Sequence, residues 1–209
     1  IELSSLDGTN GFVLNGIGEA FVEGDSVSSA GDVNGDGFDD VIIGSQRSGP
    51  GAVIGDGKTF VVFGGPGIGS AGSVNLSLLD GSDGFVINGV DYSGSFASGA
   101  GDVNGDGVDD IVLGARFGNA GTGEAYVVFG GVNVGETGAL GLDALDGSDG
   151  FVLRGSEFGA YAGRCVSSAG DVNGDGFGDI VIGAYNARPN GRGSGQSYVV
   201  FGGGDVGST

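Results

Sequence analysis

The chain has 209 residues, of which 52 are glycine, and a formal net charge of −20. An acidic excess of this size argues against nucleic acid or an anionic membrane surface as a partner. The absence of histidine and the presence of a single cysteine, Cys165, exclude a Ser-His-Asp triad, imidazole metal ligands and an intramolecular disulfide. Cys165 is expected to be a small buried apolar residue. No apolar stretch approaches the roughly 20 residues that span a bilayer, so membrane insertion is not expected.

Four short strands are predicted in the first third of the chain. In chain order they are GFVLNG (11–16), DSVSSAG (25–31), DVIIGS (40–45) and TFVVFGG (59–65). Continuous runs of β-branched and aromatic residues, such as Val41-Ile42-Ile43, are typical of strands that are buried on both faces. No window carries a helical apolar period over ten residues. The sequence therefore predicts an all-β protein.

The same order of elements returns twice more. Acidic loops begin at Asp32, Asp102 and Asp171, so the spacings are 70 and 69 residues. Four-stranded antiparallel units at a fixed period, each with two apolar faces, are typical of a β-propeller, in which the sheets form the blades. A β-sandwich is the alternative. The predicted repeats are 1–75, 76–142 and 143–209 within a single domain.

Each acidic loop aligns as nine positions with carboxylate or amide side chains at positions 1, 3, 5 and 9. Position 6 is glycine, which lets the backbone reverse, and the carbonyl of position 7 would turn inward. Hard oxygen donors favour calcium over zinc, copper or the stricter octahedron of magnesium. Three calcium ions per chain are predicted. The expected ligands are Asp32, Asn34, Asp36, Phe38 and Asp40; Asp102, Asn104, Asp106, Val108 and Asp110; and Asp171, Asn173, Asp175, Phe177 and Asp179.

Two other interpretations of the loops are less consistent with the sequence. An EF-hand requires a bidentate Glu at position 12, where this chain has Ile43, Leu113 and Ile182. A solvated Asp-Gly turn does not explain why the same nine-residue pattern occurs three times. Position 8 holds Asp39 and Asp109 but glycine in the third loop, so both aspartates are expected to face solvent.

The units GDSVSSAGDVNGDGFDDVIIGS, GSFASGAGDVNGDGVDDIVLGA and GRCVSSAGDVNGDGFGDIVIGA resemble the FG-GAP repeat of integrin α-subunit propellers and their bacterial relatives. The residues at the "FG" positions lack the phenylalanine, since they are Glu23-Gly24, Ser93-Gly94 and Ala162-Gly163. The resemblance implies that the acidic loop joins the innermost strand to the second. It also implies that YVVFGG is third and that the GFVLNG of the next repeat is outermost. Residues 11–16 would then have no blade before them, and the strand ending near Phe201 would lack an outer partner.

Several functions are consistent with this pattern. The first is an extracellular calcium-binding module for adhesion, which would contact a protein or carbohydrate ligand through loops 46–58 and 185–196. Arg188 and Arg192 lie in the second of these loops. The alternatives are the propeller part of a secreted hydrolase or other enzyme, and a structural surface-layer repeat. No catalytic residue is predicted, because the clustered carboxylates are assigned to calcium.

The expected location and assembly follow from the same features. Extracellular calcium modules bind with Kd of roughly 10⁻⁴–10⁻³ M, so such sites fill outside the cell and stay empty in the cytosol. A secreted or cell-surface location is therefore expected. Propellers have four to eight blades, so three blades are too few to close a ring. A homodimer forming a six-bladed ring is expected, and the alternative is that the repeats belong to a longer chain.

Overall fold

The computed structural model describes residues 1–17, 23–45, 57–90, 93–94 and 96–207. Within these ranges the chain is built of short strands, with 3-10 turns at Leu3–Ser5, Leu76–Leu78 and Leu142–Ala144 and a four-residue helical segment at Gly118–Gly121. The all-β prediction is confirmed. The strands are β1 (Val13–Asn15), β2 (Glu23–Gly31), β3 (Asp40–Ser45), β4 (Lys58–Val62), β5 (Ser73–Asn75), β6 (Gly84–Asn88), β7 (Phe96–Gly101), β8 (Asp110–Ala115), β9 (Glu124–Val128), β10 (Ala139–Gly141), β11 (Gly150–Arg154), β12 (Ala162–Gly170), β13 (Asp179–Ala184) and β14 (Gln196–Val200).

Three antiparallel sheets follow one another along the chain. Sheet 1 has the order β2-β3-β4-β6, sheet 2 the order β7-β8-β9-β11 and sheet 3 the order β12-β13-β14. The outermost strand of sheets 1 and 2 comes from the following repeat, so the strand order implied by the family resemblance is correct. The register places Val61 opposite Phe85 in sheet 1 and Val127 opposite Phe151 in sheet 2. Within the described residues the sheets form an open series and not a closed ring.

Two short parallel strands were not predicted from the sequence. β10 adds to the outer edge of β6, with Ile87 opposite Leu140, and β5 pairs with β1, with Leu14 opposite Val74. Each is followed at once by a 3-10 turn that contributes a buried leucine, Leu76 or Leu142. The connection between repeats therefore pairs with the edge of one sheet before the chain continues into the next sheet.

The core lies between the sheets, because alternate residues of each strand face opposite neighbours. The core between sheets 1 and 2 includes Val33, Ile42, Val61 and Phe63 from one side and Ile111, Leu113, Tyr126 and Val128 from the other. The core between sheets 2 and 3 includes Val103, Val112, Val127 and Phe129 against Ile180 and Ile182. The continuous apolar runs in the sequence thus reflect burial on both faces, as predicted.

Adjacent sheets approach closely near the ends of the strands farthest from the acidic loops. A Cβ on Gly114 would collide with the backbone carbonyl of Gly163, the second residue of the "FG" pair in the third repeat. Gly163 itself has a φ of 80°, in the left-handed region where side chains are disfavoured. Glycine is therefore required at both positions for the sheets to meet.

Cys165 is exposed, so the expectation of a buried residue was wrong. Its equivalent in sheet 2 is Phe96, whose ring is covered by the Arg164 guanidinium of sheet 3 at 4.2 Å. Among the described residues no further sheet follows sheet 3, so no side chain covers Cys165 in this way. No helix in the described ranges is long and apolar enough to cross a membrane.

Candidate metal-binding loops

The three acidic loops occupy the same place in the three sheets. Each joins the first strand of its sheet to the second: β2 to β3, β7 to β8 and β12 to β13. Since the first and second strands are antiparallel in every case, all three loops lie at the same end of their sheets. The structure therefore places the predicted ligands of each repeat within one tight turn.

The position 1 aspartate organises the loop around its carboxylate. Asp32 Oδ1 accepts hydrogen bonds from the backbone N–H groups of Gly35 at 2.9 Å and Asp36 at 3.0 Å, and Oδ2 accepts one from Gly37 at 2.8 Å. Gly37 has a φ of 90°, which explains the need for glycine at position 6. Asp102 and Asp171 accept the equivalent bonds in their loops.

The side chains at positions 3 and 5 contact each other at the solvent side of the loop. Asn34 Nδ2 donates to Asp36 Oδ2 at 3.2 Å, and the Asp36 backbone N–H donates to Asn34 Oδ1 at 3.0 Å. The Phe38 N–H, at position 7, donates to Asp36 Oδ1 at 2.9 Å. These hydrogen bonds link the side chains at positions 1, 3 and 5 and the backbone N–H of position 7 within one turn.

The position 9 aspartate has a second role that sequence reasoning missed. Asp40 is fully buried, and its carboxylate accepts hydrogen bonds from the backbone N–H groups of Val33 at 2.9 Å and Gly64 at 2.7 Å. Asp110 bonds in the same way to Val103 and Gly130. Asp179 accepts the equivalent two bonds. This carboxylate therefore links the acidic loop by hydrogen bonds to the glycine that follows the VVF of the third strand: Gly64, Gly130 or Gly202. The sequence feature that could have indicated this role is the pair of glycines that follows VVF in each repeat, because the first of them donates to the position 9 carboxylate.

Burial raises the pKa of two of these aspartates. The pKa of Asp40 is raised to about 6 and that of Asp110 to about 7, chiefly because burial disfavours the charged form. The two backbone N–H bonds oppose the shift in each case, and the negative charge of the position 5 aspartate, Asp36 or Asp106, adds to it. A cation in the loop would favour the ionised carboxylate and lower both pKa values.

The calcium-free chain is expected to lose stability as the pH rises from about 4 to 7. In this interval the native state keeps protons on Asp40 and Asp110, whose ordinary pKa is 3.8, while the unfolded chain has released them. Each unit of pKa difference corresponds to about 1.4 kcal/mol. Thermal melts in chelator should therefore give a lower Tm at pH 8 than at pH 5. Asp110→Asn should weaken this dependence, and a Tm that rises between pH 5 and 8 in chelator would contradict it.

The donor set is suited to a hard cation but depends on more than the carboxylates. Among the described residues, no three acidic, histidine or cysteine side chains converge into a metal-binding group. A cation would therefore also need the position 3 amide and the position 7 carbonyl. An all-oxygen set of this kind fits calcium in preference to zinc or copper.

Asp109 was expected to face solvent, but its side chain and backbone instead join two acidic loops. Its Oδ2 accepts the backbone N–H of Asp32 at 2.9 Å, and its own N–H donates to the Asp32 carbonyl at 3.1 Å. Asp39 is exposed, as predicted. The two differ because sheet 1 precedes the loop of Asp109, whereas no described sheet precedes the loop of Asp39. In the third loop Gly178 keeps the backbone bond alone, to the Asp102 carbonyl at 2.6 Å.

A group of aromatic side chains lies at the opposite end of sheets 2 and 3. The ring of Tyr161 meets that of Phe117 edge to face, with centroids 5.5 Å apart, and stacks on that of Tyr185 at 5.7 Å. The Arg116 guanidinium lies 4.7 Å from the Phe117 ring centroid. We call these four residues the aromatic–arginine surface. Sequence reasoning missed it, since its members come from different repeats. Tyr185 begins the predicted contact loop 185–196, whereas 46–56 of the other loop lie outside the described residues.

Comparison with known proteins gives a family and two relatives. The model of the FG-GAP repeat matches residues 24–74, 94–128 and 166–200. Integrin alpha-5 of Xenopus laevis is 27% identical over 168 residues, which is 75% of this chain and 14% of that protein. Integrin alpha-PS2 of Drosophila melanogaster is 34% identical over 100 residues, covering 44% of this chain and 7% of that protein. The chain thus spans a small part of the relatives it matches. With three matched repeats over more than half of its residues, each repeat containing one of the acidic loops, the chain belongs to the FG-GAP repeat family.

Proposed function

We propose that this chain is a calcium-binding β-propeller module that mediates adhesion by binding a protein or carbohydrate ligand outside the cell. The observation that carries the proposal is the threefold occurrence of one loop geometry, in a chain similar to integrin α-subunits. Calcium would be structural, with one ion in each loop. The proposed ligands are those predicted from the sequence, at positions 1, 3, 5, 7 and 9.

Calcium would act at the junctions between sheets. The bonds between Asp32 and Asp109 join the loops of sheets 1 and 2, and the Gly131 N–H donates to the Val33 carbonyl at 2.9 Å beside them. These contacts hold several carboxylates close together, where their charges repel. A divalent cation in each loop offsets this repulsion, so ion binding and the angle between sheets would be coupled.

The aromatic–arginine surface is the ligand surface that the geometry supports best. It lies away from the acidic loops, and it places Arg116 on the first of three contacting aromatic rings in a chain whose net charge is −20. Tyrosine and arginine are enriched where proteins bind partners, and aromatic faces suit both sugar rings and peptide groups. Tyr185 exposes 59% of its surface, so its ring is available to a ligand.

A cell-surface or secreted location is part of the proposal. Calcium sites with Kd of roughly 10⁻⁴–10⁻³ M are filled only where free calcium is millimolar. The similarity to integrin α-subunits supports the same location.

Binding to arrays of extracellular matrix proteins and glycans in millimolar calcium tests this function. Tyr185→Ala is expected to weaken binding to the ligand identified by at least tenfold, since truncation of an aromatic hot spot costs about 2 kcal/mol or more. Val132→Ala is the control, because Val132 is also an exposed large side chain (79%) but follows the third strand of sheet 2 at the acidic-loop end. Binding that survives Tyr185→Ala, or is lost equally in both variants, would contradict the assignment of this surface.

A further inference from the structure

The basic side chains of this chain lie at one end of the sheets. Each acidic loop precedes the second strand of its sheet, so the last residue of that strand marks the far end. Lys58 lies opposite Ser45, the last residue of β3, and Arg154 lies opposite Glu124, which pairs with the last residue of β8. Arg116 directly follows β8. All six Lys and Arg residues of the described ranges lie at this far end: Lys58, Arg116, Arg154, Arg164, Arg188 and Arg192.

The acidic-loop end has the opposite composition. The three nine-residue loops hold eleven aspartates and no basic residue. At the far end acidic residues have basic neighbours, since Glu124 pairs with Arg154 and Glu157 accepts the backbone N–H of Arg188. An anionic ligand is therefore repelled at the acidic loops and finds its counter-charges at the far end.

Arg116 is the basic residue of the aromatic–arginine surface. Its guanidinium lies over the Phe117 ring, and contact with a ring leaves most of its five N–H donors for oxygen acceptors. The ion pair nearest to it in register joins Arg154 Nε to Glu124 Oε1 at 3.1 Å, and Glu124 Oε2 accepts the Tyr126 hydroxyl at 2.8 Å. Among the described residues no carboxylate forms an ion pair with Arg116. Its positive charge is thus available to a ligand.

Exposed aromatic rings lie beside this charge, where sheets 2 and 3 meet. Phe117 is 38% exposed and Phe158 is 82% exposed. Phe158 belongs to the connection between β11 and β12, GSEFGAYAG (155–163), which is three residues longer than the equivalent GVDYSG (89–94). Both sheets of this junction are in place, so these two rings are not uncovered for want of a neighbouring repeat.

Backbone hydrogen bonds join the two loops that carry these rings. Three N–H groups of the longer connection donate to carbonyls of the loop between β8 and β9: Gly155 to Gly123 at 2.8 Å, Gly159 to Gly121 at 2.9 Å and Ala162 to Thr122 at 3.1 Å. A Cβ on Gly121 would come within 3.2 Å of the Phe158 ring, so this ring lies directly on the other loop. The rings are therefore held in place before a ligand arrives, which lowers the entropy cost of binding.

The residues with unfavourable backbone geometry lie at the same junction. Among the described residues, those other than glycine with φ in the left-handed region are Asn119 at 50°, Ala120 at 55° and Tyr161 at 58°. The ring of Tyr161 is the one that contacts both Phe117 and Tyr185. Backbone conformations of this kind persist only where the surrounding contacts maintain them, and they are concentrated at binding sites.

We propose that the ligand of the aromatic–arginine surface is an acidic carbohydrate, with a sugar ring stacked on the aromatic faces and its carboxylate bound by Arg116. The inference rests on the proposed function and adds the chemical class of the ligand. The C–H face of a sugar ring suits an aromatic face, and a guanidinium binds a carboxylate through two parallel N–H···O bonds. Phe158 offers a further apolar face on the same pair of loops.

Other ligand classes match this surface less completely. A neutral sugar would cover the rings but leave Arg116 without a counter-ion. An acidic peptide would pair with Arg116, but its carboxylate side chains have no flat apolar face to place on Phe117 and Phe158. A ligand that combines a sugar ring with a carboxylate satisfies both features at once.

Isothermal titration calorimetry in millimolar calcium with paired oligosaccharides tests the proposal. The probes are hexasaccharides of hyaluronan, unsulfated chondroitin and galacturonan, each as the free acid and as the methyl ester, which keeps the sugar rings and removes the charge. At least one free acid is expected to bind about tenfold or more tightly than its ester, because hydrogen bonds between charged groups are the stronger ones. Salt should reduce this difference. Hexaglutamate, the peptide probe, is expected to bind more weakly than that acid.

Two substitutions separate the contribution of the charge from that of the rings. Arg116→Gln should weaken binding of the free acid about tenfold and leave the affinity for the ester unchanged, whereas Arg116→Lys should keep part of the preference for the acid. Phe158→Ala should weaken both forms by a similar factor. Val132→Ala is the control for Phe158→Ala, because Val132 is exposed at the acidic-loop end, and it should change neither affinity. All variants should keep the circular dichroism spectrum of the parent.

The outcomes distinguish this inference from the proposed function. Equal affinity for acid and ester, tighter binding of hexaglutamate, or no binding of any free acid would overturn the inference. A neutral glycan or a protein whose binding is lost in Tyr185→Ala would do the same and leave the proposed function intact. Acid-specific binding that is insensitive to both Arg116→Gln and Phe158→Ala would contradict the assignment of the surface as well.

Discussion

Asp110→Ala is expected to lower the free energy of unfolding by roughly 2–5 kcal/mol, among the largest effects of a single substitution in this chain. The Asp110 carboxylate is fully buried and accepts hydrogen bonds from the backbone N–H groups of Val103 at 2.7 Å and Gly130 at 2.9 Å. Alanine leaves both donors buried without a partner, at a cost of about 1–3 kcal/mol each. Relief of the buried charge offsets part of this loss.

Urea unfolding in chelator is the measurement, because it separates this structural role from metal binding. Asp110→Asn should lie between the parent and alanine, since an amide can accept one of the two bonds while its NH₂ group faces the other donor. Asp106→Ala is the control, because its side chain is exposed at position 5 of the same loop. In chelator it should change stability by less than about 0.5 kcal/mol. Equal effects of the position 5 and position 9 substitutions would show that Asp110 is not the anchor.

The sequence was sufficient to predict the four main strands of each repeat, and the resemblance to FG-GAP repeats implied their order. The three acidic loops mark the same point in each repeat, so the elements on either side align without ambiguity. The exchange of the outermost strand, in which β6 completes sheet 1, was implied by the resemblance to FG-GAP repeats. It is visible in the pairing of Val61 with Phe85. The repeat boundaries and the metal ligands remain predictions.

Features that depend on a neighbouring repeat could not be predicted in the same way. The short strands β5 and β10 were missed for a different reason: they are three residues long, too short for an alternating pattern, and each pairs in parallel with the first strand of its own repeat. Asp39 and Asp109 have the same local sequence, yet among the described residues only Asp109 has a preceding acidic loop to bond with. Cys165 is exposed because its cover would come from a following sheet. The environment of such positions depends on a neighbouring sheet and not on their own segment.

The acidic loops combine two tasks that are usually separate. Their position 9 carboxylates are buried structural acceptors, while the position 5 carboxylates stay near solvent with charges that a cation would neutralise. The backbone N–H bonds to Asp32 already hold the loop in its turn. The main contribution expected of calcium is therefore electrostatic, and it should be large because three loops lie at one end of the sheets.

Removal of calcium is expected to lower the Tm by about 8–16 °C at pH 7. At free calcium tenfold above Kd, each site adds about 1.4 kcal/mol, so three sites add about 4 kcal/mol. For a chain of 150–250 residues, 1 kcal/mol corresponds to roughly 2–4 °C in Tm. Repulsion among the unneutralised carboxylates adds to the loss. Differential scanning calorimetry in millimolar calcium and in chelator measures the difference, and native mass spectrometry counts the ions.

Single-loop variants make the expectation specific to the proposed sites. Asp36→Asn, Asp106→Asn and Asp175→Asn should each remove one ion and about a third of the stabilisation by calcium. Asp146→Asn removes the same charge outside the loops, where its carboxylate accepts hydrogen bonds from Ser148, and should leave the three ions in place. Equal stabilisation by magnesium and by calcium would contradict the proposed flexible all-oxygen site, because magnesium demands a stricter octahedron. A Tm that is the same in calcium and in chelator would exclude structural calcium, because ions that bind the folded state must stabilise it.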